Sequence, residues 1–227
     1  MSALFKFIRK KKREIMASNR NFFGIILFFV IAFFSACNEK SQPLFEALSS
    51  SKTNISFTNK LEKHKAFNIL YYLYYYNGGG VATGDINNDG LADIYFAANS
   101  KGSNKLYLNK GNFEFEDITT HANVMGSADW CTGVSMADIN SDGWLDIYVS
   151  TVSSKYGLKG HNELFINNRN NTFTESSAAY GLNTSCFTTQ TAFFDYDRDG
   201  DLDCYLLNQS HHPHANIVDT ANRKNYD

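Results

Sequence analysis

Short runs in which apolar and polar residues alternate recur from about residue 80 onward, and they predict β-strands. Successive side chains of a strand point to opposite faces, so alternation is typical of a strand with one buried face. Residues 113–116 and 172–175 alternate in this way, and residues 94–97 and 147–149 are denser apolar runs of strand length. Asp-Gly pairs and other turn residues separate the runs. The pattern predicts an all-β fold of short strands.

The first 36 residues follow a different pattern, which is typical of a secretory signal peptide. Seven of the first 20 residues are Lys or Arg, an almost unbroken apolar run covers residues 22–34, and Ser35 and Ala36 follow it. An apolar run of about 13 residues is short for a membrane span, which needs about 20. We therefore predict a signal-peptide helix in residues 1–36 and export of the remaining chain. An uncleaved anchor is the alternative.

Ser35, Ala36 and the cysteine after them also resemble a bacterial lipobox. This resemblance implies that Cys37 becomes a lipidated N-terminus and attaches the protein to a membrane. Residues 37–60 are polar and rich in Ser, which predicts a tether between the anchor and a folded body. Together these features predict an outer-membrane lipoprotein or another protein of the bacterial cell surface.

Charge and composition exclude several classes of protein. A chain with 43% hydrophobic and 19% charged residues is neither intrinsically disordered nor fibrous. The net charge is −2, but the part of the chain after residue 20 has only 14 basic against 22 acidic residues. An acidic body predicts no binding to nucleic acid, because phosphate contacts need a basic surface. It favours binding of cations.

Three nine-residue segments repeat one arrangement of oxygen-bearing residues. We name them loop 1 (residues 85–93), loop 2 (138–146) and loop 3 (195–203). Asp stands at positions 1, 5 and 9, Asn or Asp at position 3, and Gly at position 6. With the residue at position 7, which offers its backbone carbonyl, the predicted metal ligands are Asp85, Asn87, Asp89, Leu91, Asp93, Asp138, Asn140, Asp142, Trp144, Asp146, Asp195, Asp197, Asp199, Asp201 and Asp203.

The spacing of these residues predicts calcium as the bound cofactor. Oxygens at positions 1, 3 and 5 converge when the chain curls around a hard cation, and Gly at position 6 permits the sharp turn. Calcium accepts six to eight oxygen ligands in flexible geometry, whereas zinc and copper prefer His or Cys, which the loops do not contain.

Two alternatives compete with calcium-binding loops of this kind. An EF-hand shares the first half of the motif, but it needs Glu at position 12 and helices on both sides. Position 12 is Phe96, Val149 and Leu206, and the flanking residues have strand-like patterns. The second alternative is that the loops are ordinary Asp-Gly turns without a metal.

The repeat continues beyond the loops. Residues 104–109 correspond to residues 162–167, and each segment is followed by a turn and a short alternating run. One unit is therefore strand, loop, strand, strand, turn, strand, which describes a four-stranded β-propeller blade. We predict blades at about residues 61–118 and 119–176, and an incomplete one at 177–227.

These motifs, with the Gly-Gly-Val-Ala sequence at residues 79–82, resemble FG-GAP/VCBS repeats. Such repeats are the calcium-bearing blades of integrin α-subunit propellers and of many bacterial surface proteins. The chain resembles exported proteins of the cartilage acidic protein (ASPIC/UnbV) group from about residue 45 onward. The resemblance implies a propeller of about seven blades, of which this chain would be an N-terminal fragment. Closure by a second chain is the alternative.

The expected function is that of a cell-surface binding or adhesion module with an unknown protein or glycan ligand. No sequence motif of a nucleophilic, phosphate-binding or zinc-protease site is present, so we predict no catalysis in this segment. The alternative is an accessory propeller of a surface hydrolase or lyase that acts on glycans or phospholipids.

Three further features leave their interpretation open. Residues 71–76 contain five Tyr, which fits either a buried blade strand or an aromatic binding platform. Cys131 and Cys186 precede successive loops, so a disulfide between them is possible in an exported protein. Residues 211–214 contain three His, which fit an exposed loop better than a metal site.

Overall fold

A computed structural model describes residues 43–61, 63, 66–153 and 155–209. The predicted signal peptide, Cys37 and the histidines of residues 211–214 lie outside the described residues. The chain divides into two compact units, residues 1–47 and residues 48–227, and all the elements below belong to the second. Within the described part of the chain, no helix is long and apolar enough to cross a membrane.

The described residues form three antiparallel sheets and two single-turn helices, which confirms the all-β prediction. Sheet 1 contains β1 (Val81–Gly84), β2 (Asp93–Phe96), β3 (Lys105–Asn109) and β4 (Phe115–Asp117). Sheet 2 contains β5 (Cys131–Ala137), β6 (Asp146–Thr151), β7 (Glu163–Asn167) and β8 (Phe173–Glu175). Sheet 3 contains β9 (Thr188–Phe194) and β10 (Asp203–Asn208). The helices are α1 (Ser50–Thr53) and α2 (Thr119–Ala122).

Each sheet is a simple meander in which sequential strands are hydrogen-bonded neighbours. The first two strands of each sheet meet at the loop that joins them: Gly84 pairs with Asp93, Ala137 with Asp146, and Phe194 with Asp203. The last residue of each loop is therefore the first residue of a strand. This register confirms the predicted strand–loop–strand arrangement and excludes an EF-hand.

The first strands of the three sheets lie side by side, β1 next to β5 and β5 next to β9. Glycine makes this approach possible at Gly133, where a Cβ atom would lie 2.6 Å from the carbonyl oxygen of Thr189. Ser135 also donates a short hydrogen bond from its hydroxyl to the carbonyl of Thr191. The sheets therefore contact one another along these strands.

The main hydrophobic core lies between sheets 1 and 2 and includes side chains from both. Tyr95 of β2 and Tyr148 of β6 occupy equivalent positions, and both are fully buried. Each hydroxyl donates a hydrogen bond to a backbone carbonyl. The acceptor of Tyr95 is the carbonyl of Val124 at 2.7 Å, and the acceptor of Tyr148 is the carbonyl of Leu182 at 2.9 Å. Buried tyrosines need such a partner, because an unpaired hydroxyl away from water costs free energy.

A second cluster is aromatic and forms around residues 67–75, where the structure contains turns and no strand. The amides of Tyr72 and Tyr75 donate to the carbonyls of residues 68 and 72, which closes successive turns. Tyr72 packs against Phe187 and Tyr75 against Trp130, and both are buried, while the other three tyrosines of the run are exposed. The possibility that residues 71–76 form a blade strand is therefore wrong.

Part of the segment assigned to the tether contacts sheet 1. The side chains of Asn59 and Asn99 share a hydrogen bond of 2.6 Å, and the Asn99 amide donates to the Asn59 side chain at 2.9 Å. Phe57 stacks on Phe96 with ring centroids 4.7 Å apart. The folded body thus includes residues before the predicted boundary at residue 61.

The possible disulfide between Cys131 and Cys186 is not formed, and both thiols are free. Cys131 is buried, with its sulfur 3.6 Å from the side-chain amide of Asn104. The sulfur of Cys186 lies 3.0 Å from the side-chain oxygen of Asn208, on sheet 3. Each sulfur thus has a different polar side chain as its neighbour.

Candidate metal centre

All three loops have the same backbone shape, which the sequence imposes at positions 4 and 6. Position 6 is Gly in each loop, with φ of 86°, 86° and 98° in loops 1, 2 and 3. Position 4 also has positive φ, and it is Asn88 in loop 1, Ser141 in loop 2 and Arg198 in loop 3. Glycine adopts this left-handed conformation without steric cost. The two turns curl the chain, and in loop 3 they bring carboxylate oxygens at positions 1, 3 and 9 within 4.8 Å of one another.

In loop 1 the side chains at positions 1, 3 and 5 accept hydrogen bonds from the loop's own backbone. The carboxylate of Asp85 accepts from the amides of Asp89 at 3.1 Å and Gly90 at 2.7 Å. The side-chain oxygen of Asn87 accepts from the Asp89 amide at 3.2 Å, and the Asp89 carboxylate accepts from the Leu91 amide at 2.8 Å. These bonds fix each side-chain oxygen before any ion is bound.

Loop 2 repeats this network with one addition, which is the guanidinium of Arg169. Asp138 accepts from the amides of Asp142 and Gly143, both at 2.8 Å. The Nη2 atom of Arg169 lies 3.0 Å from one carboxylate oxygen of Asp142. Desolvation opposes ionisation of Asp142, but the hydrogen bonds from Arg169, Trp144 and Asn140 together hold its pKa below the usual value.

Position 9 is buried in loops 1 and 2. Asp93 and Asp146 have no exposed surface, and each carboxylate accepts two backbone hydrogen bonds. Asp93 accepts from Ile86 at 3.0 Å and Asn109 at 2.7 Å. Asp146 likewise accepts from residue 139 at 3.0 Å and Asn167 at 2.8 Å.

Burial has an electrostatic consequence for both position 9 carboxylates. Desolvation raises the pKa of Asp93 and of Asp146, the backbone hydrogen bonds oppose it, and the negative charges at positions 1 and 5 raise the pKa further. A buried carboxylate beside two other carboxylates is a site where a cation relieves electrostatic repulsion.

Loop 3 has the same ligand positions in a more open environment. One carboxylate oxygen each of Asp195, Asp197 and Asp203 lie within 4.8 Å of one another, and all three residues are exposed. Asp203 accepts from the Tyr196 amide at 2.8 Å. The hydrogen bond from the Gly200 amide to Asp195 is longer, at 3.3 Å, than its counterparts in loops 1 and 2.

The donor set of the loops fits a hard cation. The side chains at positions 1, 3, 5 and 9 offer only carboxylate and amide oxygens, and position 7 offers a backbone carbonyl. Calcium prefers this set, while magnesium retains its own waters and zinc selects nitrogen or sulfur. The guanidinium of Arg169 is itself a cation, and it contacts a carboxylate oxygen of Asp142, which is one of the predicted metal ligands.

Comparison with known proteins identifies the repeat. A family model described as FG-GAP-like repeat matches residues 85–149 and 152–206, which together make up more than half of the chain. The chain belongs to the FG-GAP-like repeat family. Each matched segment contains at least one of the loops, and the match confirms the resemblance seen in the sequence.

The curated relatives that match are cartilage acidic protein 1 from several animals. The Xenopus tropicalis protein is 31% identical over 157 residues, which is 67% of this chain and 23% of that protein. The human protein is 28% identical over 134 residues, which is 59% of this chain and 20% of that protein. The mouse protein is 40% identical over 73 residues, or 32% and 11% of the two chains. The chain thus spans less than a quarter of the length of these relatives.

Within the FG-GAP-like repeats, the structure also assigns roles that sequence reasoning missed. Asn109 and Asn167 end the third strands of sheets 1 and 2, and their amides donate to the position 9 carboxylates. Both asparagines end the matching segments 104–109 and 162–167, so the sequence alone could have indicated that they share a role. Arg169 gave no such signal, because the corresponding turn of sheet 1 has Gly111 at the equivalent place.

Proposed function

We propose that this chain is an exported, calcium-binding part of a β-propeller that serves in binding or adhesion at the cell surface, without catalysis in this segment. The observation that carries the proposal is the threefold repetition of one oxygen-only loop at the same turn of three sheets. Membership of the FG-GAP-like repeat family supports it.

Calcium is proposed to bind at all three loops and to stiffen the turn between the first two strands of each sheet. The side chains at positions 1, 3, 5 and 9 and the carbonyl at position 7 would hold the ion. Because the folded loop binds calcium and the unfolded chain does not, the ion would add about 2.7 kcal/mol to stability at a hundred times its dissociation constant.

The propeller arrangement is supported by the contacts of the first strands. In a propeller each blade packs beside the next around a central axis, with its first strand innermost. β1, β5 and β9 lie side by side in chain order, and sheets 1 and 2 are four-stranded meanders. Both features are what adjacent blades require.

The proposed ligand surface lies at the start of the first strands, while the loops lie at their ends. A cavity of about 390 Å³ there is lined by Tyr72, Tyr74, Asn77, Thr132, Thr189 and Gln209, among others. Aromatic rings beside amide and hydroxyl groups suit a glycan or a protein loop. The side-chain oxygen of Gln209 is buried and has no hydrogen-bond partner among the described residues.

Export and membrane attachment complete the proposal and rest on the sequence alone. The predicted signal peptide of residues 1–36 would direct export, and lipidation of Cys37 would hold the protein at the outer membrane or the cell surface. Mass spectrometry of the protein from its membrane fraction tests both points. A mature chain that begins elsewhere and carries no lipid would contradict the anchor.

Thermal unfolding of the chain in calcium, magnesium and EDTA tests the metal role. We expect the melting temperature to rise in calcium only, and Asp138→Ala to lower it in calcium but change it little in EDTA. The control is Asn168→Ala, an exposed turn residue outside the loops. A melting temperature that is the same in calcium and EDTA would rule out the metal role.

A further inference from the structure

Loops 1 and 2 are joined by a continuous line of hydrogen bonds. The Asp93 carboxylate of loop 1 accepts from the amide of Ile86, at 3.0 Å. The carbonyl of Ile86 accepts from the side-chain amide of Asn167, at 2.8 Å. The backbone amide of Asn167 in turn donates to the Asp146 carboxylate of loop 2, at 2.8 Å. The backbone of Ile86 and the backbone and side chain of Asn167 therefore connect the two buried position 9 carboxylates.

This connection is shielded from water. Asp93 and Asp146 have no exposed surface, and Asn167 is 3% exposed. Hydrogen bonds in a buried network are stronger than in water, and the loss of one partner leaves another group unsatisfied. A displacement of one carboxylate is therefore passed to its neighbours instead of being compensated by water.

A second contact joins the outer parts of the same two loops. The side-chain amide of Asn88, at position 4 of loop 1, donates to the carbonyl of Gly143, at position 6 of loop 2, at 3.0 Å. The strand ends beside them are also close. A Cβ atom at Gly84 would lie 2.6 Å from a methyl group of Leu145, so the two sheets approach closely at this point.

Loop 3 is not connected in this way. Sheets 2 and 3 share hydrogen bonds through their strands, for example from Thr132 to the carbonyl of Thr188 at 2.7 Å. Among the residues that the structure describes, no hydrogen bond joins loop 2 to loop 3. Position 4 of loop 2 is Ser141, whose shorter side chain has no bond to a neighbouring loop there.

We propose that loops 1 and 2 bind calcium as a coupled pair, so that an ion in one raises the affinity of the other, while loop 3 binds independently. The inference rests on the proposed calcium function. An ion in loop 1 would fix Asp93, and through Ile86 and Asn167 it would fix Asp146 in its ligand position. The second ion then binds with a smaller loss of conformational entropy, because its ligand is already ordered. An ion in loop 2 raises the affinity of loop 1 by the same factor.

Loop 2 can be observed separately, because it is the loop with a tryptophan, Trp144, at position 7. Terbium replaces calcium at oxygen sites and becomes luminescent when a nearby excited tryptophan transfers energy to it. Terbium luminescence under selective tryptophan excitation, with calcium as competitor, therefore reports the affinity of loop 2 in the full chain. Calorimetry with calcium alone gives the total number of sites.

The first test removes loop 1 and measures loop 2. We expect Asp85→Ala to weaken calcium binding at loop 2 by about five- to tenfold, at the lower end of ordinary coupling between sites. Asp195→Ala, which disables loop 3, is the matched control and should leave loop 2 unchanged. An unchanged loop 2 affinity in Asp85→Ala, with calcium still bound, would overturn the coupling and leave the proposed function standing.

The second test keeps every ligand in place and removes only the exposed connection. Asn88→Ala should lower the Hill coefficient for calcium towards one. Ser141→Ala changes the same loop position with a similar positive φ and should leave it unaltered. A Hill coefficient of one in the unmodified chain contradicts the coupling, whereas a coefficient above one that Asn88→Ala leaves unchanged assigns the coupling to the buried connection through Ile86 and Asn167. A chain that binds no calcium at any loop would overturn both the coupling and the function on which it rests.

Discussion

Sheets 1 and 2 place their loops in one environment, and sheet 3 places a loop of the same pattern in another. Asp93 and Asp146 are fully buried, and each takes a hydrogen bond from the third strand of its own sheet. Asp203 stands at the equivalent position and is exposed. The nine-residue pattern thus sets the curl of the loop, whereas the neighbouring strand sets the burial of its last ligand.

The tyrosine next to the loop shows the same contrast. Tyr95 and Tyr148 have no exposed surface, while Tyr205, two residues after Asp203, is 60% exposed. Within the described part of the chain, β10 has β9 as its partner on one side only. Burial of this tyrosine therefore depends on a third strand and on the segment that follows it.

The largest expected effect comes from removing a position 9 carboxylate in EDTA. Asp146→Ala leaves the amides of residues 139 and 167 without acceptors in a buried place, which should cost about 2–4 kcal/mol of unfolding free energy. Asp203→Ala, the matched variant, should cost less than about 1 kcal/mol. Urea unfolding measures both, and equal losses would remove the contrast between the sheets.

A smaller effect is expected from the tyrosine hydroxyls. Tyr148→Phe removes the hydrogen bond to the carbonyl of Leu182 and leaves that acceptor unpaired, which should cost about 1 kcal/mol. Tyr205→Phe serves as its counterpart and should change the unfolding free energy by only a few tenths of a kcal/mol. If Tyr205→Phe proved as costly as Tyr148→Phe, the exposure of sheet 3 would not hold in solution.

The smallest effect concerns a buried carboxyl between sheets 1 and 2. Glu163 is 2% exposed, and one of its oxygens accepts from the amide and hydroxyl of Ser127, both at 2.7 Å. Its other oxygen has no hydrogen-bond partner among the described residues. Desolvation raises the pKa of Glu163 above 4.5, although the bonds from Ser127 oppose the shift.

A raised carboxyl pKa in the folded protein means that the folded state holds the proton more tightly than the unfolded state. The stability that this proton gives is present at low pH and is lost as pH rises from about 4.5 through the folded-state pKa. Glu163→Gln should therefore be more favourable, relative to the unmodified chain, at pH 7 than at pH 4. Urea unfolding at the two pH values measures this, and a difference of opposite sign would contradict it.

Much of the repeat could be predicted from sequence because its signals are local. The curl of the loops follows from Gly at position 6, and the flanking strands follow from short apolar runs. The same reasoning failed for residues 71–76, because a nearly continuous aromatic run has no alternation that distinguishes a strand from turns. Tyr75 packs inward against Trp130 and Tyr72 against Phe187, and each partner is more than 50 residues away in the sequence.

The links between loops were beyond sequence reasoning for a similar reason. The hydrogen bond from Asn167 to Ile86 joins residues 81 positions apart, on different sheets. Arg169 of the turn between β7 and β8 reaches Asp142 of loop 2, which is 27 residues earlier in the sequence. Such contacts follow from how the sheets adjoin, and a single sequence carries no pattern for them.

The guanidinium of Arg169 has a consequence for electroneutrality. Loop 2 holds three carboxylates and this one cation, so its excess of two negative charges equals the charge of one calcium ion. Loop 1 holds three carboxylates, and no ion pair to them is found among the described residues. Loop 3 holds five carboxylates, and its sequence also contains Arg198. One calcium ion in each loop would make loop 2 electrically neutral and would leave residual negative charge at loops 1 and 3. A loaded molecule would thus present one neutral turn, loop 2, between two negative turns.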